Sequence, residues 1–170
     1  TTMLLYMILQ DIRNGKGVAV IDPHGDLAED ILRYIPTERK KDVIYFNPAD
    51  TERPLGFNMV DFYDEQDKHR VANSFIGLMY KMFDPNKQGI VGPRFERAVR
   101  NALLTAMSVK GSTLIETARI LYDPAFVRRY MPYVQDQQVR EYWEKEIAQT
   151  SDFHKSEVLG YIVSKFDRFI

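Results

Sequence analysis

The sequence contains no cysteine. A disulfide framework and a thiolate zinc site are therefore both excluded. A reducing compartment fits this without being required. No apolar stretch approaches the roughly 20 residues needed to cross a bilayer. Charge of one sign is also lacking: the formal net charge is −1, so bulk electrostatics point to no particular partner. There is no internal repeat and no low-complexity segment. The opening TTMLLYMILQDIRNG is apolar, but it has no basic leader and no small-residue cleavage site, so no signal peptide is expected. It reads as a helix that has lost whatever came before it.

What is present suffices for one ordinary domain, or a small domain with a large insertion. The chain has 170 residues, of which 45% are apolar, so a core can form. Met3, Leu4, Met7, Ile8 and Ile12 recur at helical spacing, and Asn14-Gly15 stops that helix. Val18 to Ile21 reads as a short buried strand. Asp26 is placed to cap a second helix, LAEDILRYI, which Pro36 ends. Val43 to Phe46 reads as a second strand. Helix, strand, helix, strand is the rhythm of a parallel α/β sheet, whose ligands bind beyond the carboxyl ends of the strands. Asp22 to Asp26 and Asn47 to Asp50 fall there. Two strands cannot complete such a sheet, so partner strands outside the sequence are expected.

From about Asp64 only helical patterns appear, near 64–83, 94–109, 113–122, 124–131, 135–149 and 152–169. The breaks are Asp84-Pro85-Asn86, Gly92-Pro93, Lys110-Gly111-Ser112 and Asp123-Pro124. Thr113 and Glu116 have capping-box spacing. The expected organisation is an α/β part over 1–60 and an all-helical part over 61–170.

The stretch Asp22-Pro23-His24-Gly25-Asp26 carries the densest chemistry. One reading is a tight turn, with Pro fixing the backbone, Gly freeing it and Asp26 capping the helix. That reading leaves Asp22 and His24 without a task. The other readings are an acidic site beside phosphate or magnesium, or a metal site built on Asp22 and His24. Asp-x-His after an apolar run resembles the opening motif of calcineurin-like metallophosphoesterases, a two-metal hydrolytic family. That family's later Gly-Asp-x-x-Asp and Gly-Asn-His-Asp/Glu motifs do not occur here. The remaining histidines, His69 and His154, lie in helical patterns with lysine neighbours.

A second resemblance spans nearly the whole chain. TTMLLYMILQDIRNGKGVAVIDPHGDLAEDILRYIP, followed by DVIYFNPAD and PLGFNMV, resembles the HerA/FtsK-type P-loop motor ATPases. QDQQVREYWEKEIA and EVLGYIVSKFDRFI are similar to the all-helical insertion of their conjugative coupling-protein branch. The resemblance implies a partial P-loop NTPase parallel sheet with a large all-helical insertion domain. It makes Thr1 the last residue of the phosphate-binding loop, with its hydroxyl on Mg²⁺. Thr2 then begins the helix that faces phosphate. Asp22 and His24 become active-site residues, and Asp26 joins the cofactor-binding set. The implied cofactors are ATP and Mg²⁺ in the parent protein. The implied partners are DNA or a DNA–protein complex, further copies in a homo-hexamer, and components of a type IV secretion pore. The implied location is the cytoplasm, with any membrane attachment made by segments outside this chain. The loop's glycines and lysine are missing, and no strand after Phe46 carries a Walker B acid. This chain alone is therefore expected to bind ATP weakly or not at all.

Arg94, Arg97 and Arg100 make a slanting basic stripe beside Phe95, Ala98, Val99, Ala102 and Ala106. It is either a solvated flank or a set of phosphate contacts to DNA. From Asp61 onward 16 Lys and Arg stand against 15 Asp and Glu, so strong DNA binding by this part alone is not implied. Tyr142, Trp143, Phe153, Tyr161, Phe166 and Phe169 fall at helical spacing with Ile147, Val158, Leu159 and Ile162, and read as core. The loop from Asp84 to Pro93 lacks the full acidic set of a calcium site. The leading function is part of an ATP-driven DNA-translocating motor. The alternatives are a helical adaptor that docks DNA-processing or secretion substrates, and the metallophosphoesterase.

Overall fold

A computed structural model describes residues 2–89, 91–146, 160–166 and 169. The chain divides into two units, Thr1–Leu55 and Gly56–Ile170.

Unit 1 holds helices α1 (Thr2–Arg13) and α2 (Asp26–Tyr34) and a 3₁₀ turn over Thr37–Asp42. Leu5, Ile8, Leu9 and Ile12 share one face of α1, and Leu9 is buried while Met3, Leu4 and Met7 are exposed. Past α1, Gly15 takes φ +76°, and the Lys16 N–H reaches back to the Asp11 carbonyl at 3.0 Å. Arg39 then ties the end of α1 to the 3₁₀ turn. Its Nη1 donates to the Ile12 carbonyl at 2.8 Å, and its Nε donates to Asp42 at 2.9 Å.

The expected parallel α/β sheet is not formed. Among the described residues there is no strand. Residues 16–22 and 43–47 are irregular and make no backbone ladder with each other or with other described residues. The expected burial fails with it: Ile21 is 95% exposed and Ile44 is 85% exposed. β-branched runs suit a pleated, buried surface, but a strand exists only where a neighbour completes its hydrogen bonds.

Unit 2 is helical among its described residues. It comprises α3 (Glu65–Phe83), α4 (Pro93–Ala106), α5 (Leu114–Tyr122), α6 (Pro124–Tyr130) and α7 (Gln137–Glu141). Shorter turns follow α6 and α7, the second of them π-helical over Tyr142–Glu146, and residues 160–166 are again helical. The start signals act as their chemistry dictates. Asp64 accepts the Asp67 N–H at 2.9 Å, and Asp123 accepts the Ala125 and Phe126 N–H groups. Thr113 and Glu116 form the expected capping box.

α4 is the centre of unit 2, packed against α3, α5, α6 and α7. Its Ala98, Val99, Ala102, Leu103 and Ala106 are buried, and the small side chains allow close helix approach. Trp143 is buried, and its indole N–H donates to the Thr105 hydroxyl at 2.8 Å. Of the aromatics expected in the core, Trp143 and Phe166 are buried, Tyr142 and Phe169 are half-buried, and Tyr161 is exposed. Phe153, with Ile147, Val158, Leu159 and His154, lies outside the described residues. No helix among the described residues is long and apolar enough to cross a membrane.

Candidate functional site

The Asp22–Gly25 turn sits on a cleft of unit 1 with a volume of about 910 Å³. Asp22 and His24 line it, together with apolar side chains such as Ile8, Ile31, Val43 and Phe46. The structure thus brings the two expected active-site residues to one wall. Asp26 is exposed as the first residue of α2 and does not line this cleft. Thr2 is exposed at the start of α1 and is not a lining residue either. Thr1 lies outside the described residues.

The capping role expected of Asp26 belongs to Asp22. Gly25 occupies the cap position with φ +90° and contributes no side chain. Asp22 reaches forward instead. Its Oδ2 accepts the N–H groups of Leu27 at 2.9 Å and Ala28 at 3.2 Å, and its Oδ1 accepts that of His24 at 3.1 Å. These donors satisfy part of the first turn of α2, whose N–H groups have no partner inside the helix. The His24 N–H foremost holds the Asp22 carboxyl below the usual aspartate value; desolvation opposes it next in size, and the N–H groups of Ala28, Gly25 and Leu27 add to the lowering. A carboxylate held in this way is a weak base. The sequence signal for this arrangement is Asp-Pro-x-Gly, since Asp side chains commonly accept the N–H two residues on.

Asp22 and His24 are two potential metal donors. Among the described residues no group of three His, Asp or Glu side chains is arranged to hold a metal ion. With both Asp22 oxygens engaged by backbone, the donor set does not fit a metal centre built from these residues alone.

The basic stripe on α4 is largely engaged within unit 2. Arg100 donates to the Asn73 side chain at 2.6 Å, and the Arg97 guanidinium lies 5.6 Å from the Tyr142 ring centre. Arg94 is exposed. The loop after α3 carries a residue whose role the sequence reading missed. Asp84 is buried, and its carboxylate accepts the N–H groups of Gln88 at 2.6 Å, Gly89 at 3.0 Å and Val91 at 3.1 Å. Asp84-Pro85 at a helix end signalled the break but not this anchoring. Burial first, then the charges of Glu96 and Asp84, push the Tyr80 hydroxyl above its ordinary value. A recess of about 110 Å³ beside Lys68, His69 and Asp136 is smaller than the sites that hold ordinary small-molecule ligands.

No protein-family model, no curated protein and no solved structure matches this chain.

Proposed function

We propose that this chain is part of an ATP-driven motor that moves DNA, or a DNA–protein complex, of the kind to which conjugative coupling proteins belong. The observation that carries the reading is the Asp22–Gly25 turn on its cleft. Of the residues that the family likeness implicates, the two assigned to catalysis, Asp22 and His24, stand there, and about 910 Å³ lies within the range of sites that take a nucleotide-sized ligand. ATP and Mg²⁺ are proposed as ligands of the working motor, and the motor itself as a homo-hexamer. Unit 2 is proposed as the insertion that meets DNA, a substrate protein or a secretion pore. Arg94 is its best-placed candidate for phosphate contact, because Arg97 and Arg100 already have partners.

The test is ATP hydrolysis by the natural polypeptide that carries these residues, with and without double-stranded DNA. DNA-stimulated turnover that falls in His24→Ala is the expected result. No turnover under either condition overturns the reading. Manganese-dependent cleavage of a phosphate ester would put the esterase in its place.

A second reading has its own observation. Unit 2 closes a connected core from Val60 to Phe166, which is what a free-standing docking module needs. Capture of DNA-processing or secretion substrates by residues 56–170, without ATP turnover, would favour this adaptor.

A further inference from the structure

We propose that Asp22 is a positioning residue and that His24 is the member of this turn that meets the ligand of the cleft. The inference rests on the motor reading for the ligand's identity, but not for the geometry.

Among the described residues, every hydrogen bond that Asp22 accepts comes from backbone N–H groups of the turn and of the first turn of α2. One of those groups is the N–H of His24 itself. The carboxylate therefore fixes the segment on which the imidazole is mounted. Gly25 completes the turn with a left-handed backbone that a side chain would strain. His24 is exposed on the cleft wall. Its imidazole is open to an incoming group and carries two ring nitrogens that can hydrogen-bond to it. Asp22 is the reverse case: it is half-buried and turned onto its own chain.

The two roles separate on conservative substitution. An asparagine keeps one acceptor oxygen, which can serve the Leu27 and Ala28 N–H groups, but sets an NH₂ donor against the His24 N–H. If Asp22 positions, the function of Asp22→Asn and Asp22→Ala follows the protection that each leaves at these amides. If Asp22 is a base or a metal ligand, both variants fail alike.

Amide hydrogen exchange on the 170-residue chain is the first measurement. Asp22→Ala is expected to speed exchange at His24, Leu27 and Ala28 by about tenfold, whereas Asp22→Asn is expected to keep Leu27 and Ala28 within about threefold of the unsubstituted chain and to lose protection at His24. Unchanged exchange at these amides in Asp22→Ala overturns the positioning role. The second measurement is ATP hydrolysis by the natural polypeptide. Asp22→Ala and His24→Ala are expected to lose rate about equally, their combination to lose little more than either, and Asp22→Asn to fall between Asp22→Ala and the unsubstituted polypeptide. Asp22→Asn as inactive as Asp22→Ala while it keeps protection at Leu27 and Ala28 overturns the assignment. An active His24→Ala overturns the part given to His24. If the unsubstituted polypeptide hydrolyses no ATP, the motor reading falls and, with it, the ligand assigned to His24. Hydrogen exchange then decides the positioning role on its own.

Discussion

The two units use the same chemistry at their helix ends and differ in what lies behind the helices. In unit 1 a carboxylate caps α2 and a guanidinium closes α1. In unit 2 Asp64, Thr113, Asp123 and Asp136 cap their helices in the same manner. Yet among the described residues of unit 1 only Leu9 and Ile31 are buried apolar side chains, whereas unit 2 packs a continuous cluster around α4. Apolar content does not explain the contrast. Unit 1 has its share of Val, Ile, Leu, Met, Phe and Tyr, but Ile21, Ile44, Phe46 and Met3 face outward. Capping specifies where a helix begins. Burial decides how much free energy it contributes, and most helical stability comes from a packed face.

The largest effect that sharpens this contrast lies between two leucines. Leu103 is fully buried on α4, and Leu103→Ala is expected to cost about 3 kcal/mol. Leu9→Ala is expected to cost about 2 kcal/mol, because surroundings that collapse onto the gap remove the cavity term and leave only the transfer term. Urea unfolding followed by far-ultraviolet ellipticity reads both units, and fluorescence of the single tryptophan, Trp143, isolates unit 2. Equal losses at the two positions would break the comparison.

A smaller effect tests whether polar groups contribute to the core of unit 2. Thr105→Val removes the hydroxyl that accepts the Trp143 indole N–H and leaves a buried donor unpaired. The expected cost is about 1–3 kcal/mol in the same fluorescence transition. A neutral result would assign the advantage of unit 2 to apolar packing alone.

The smallest effect concerns a cap. Thr113→Ala is expected to cost about 1 kcal/mol. It also carries a pH signature. Burial pushes the Glu116 carboxyl up, but hydrogen bonds from the Thr113 hydroxyl and backbone outweigh it and hold the carboxyl below the ordinary glutamate value. A carboxyl lowered by folding adds stability above its unfolded value and loses it as pH falls through the folded one. Stability measured from neutral pH down through the carboxylate range should therefore fall less steeply in Thr113→Ala. An unchanged acid limb would show that Thr113 does not hold Glu116.

The helices of unit 2 were legible because their signals are local. Asp64, Thr113 and Asp123 stand where caps belong, and Pro93 and Pro124 mark first turns. The stretch after α7 was less so: the expected helix over 135–149 passes into a π-helical turn at Tyr142, and its last residues lie outside the described residues. Val18 to Ile21 and Val43 to Phe46 were misread as strands because pairing is not a local property. Their composition states a preference for a sheet, and nothing in a short window supplies the neighbour. At the candidate site, the position of the turn was legible and its internal roles were not. Asp26 is the first residue of α2, yet the left-handed Gly25 before it let Asp22 reach past it. Asp84 was hidden for the same reason, since its partners include Val91, seven residues on.

Arg39 bears on which substitutions unit 1 would tolerate over time. Its planar fork reaches the Ile12 carbonyl through one nitrogen and Asp42 through another. A lysine would preserve the charge and the length but offers a single point of donation, so it cannot serve both acceptors in this geometry. In a unit with little packing to fall back on, Arg39→Lys, an exchange usually counted as mild, is expected to free the end of α1 from the 3₁₀ turn.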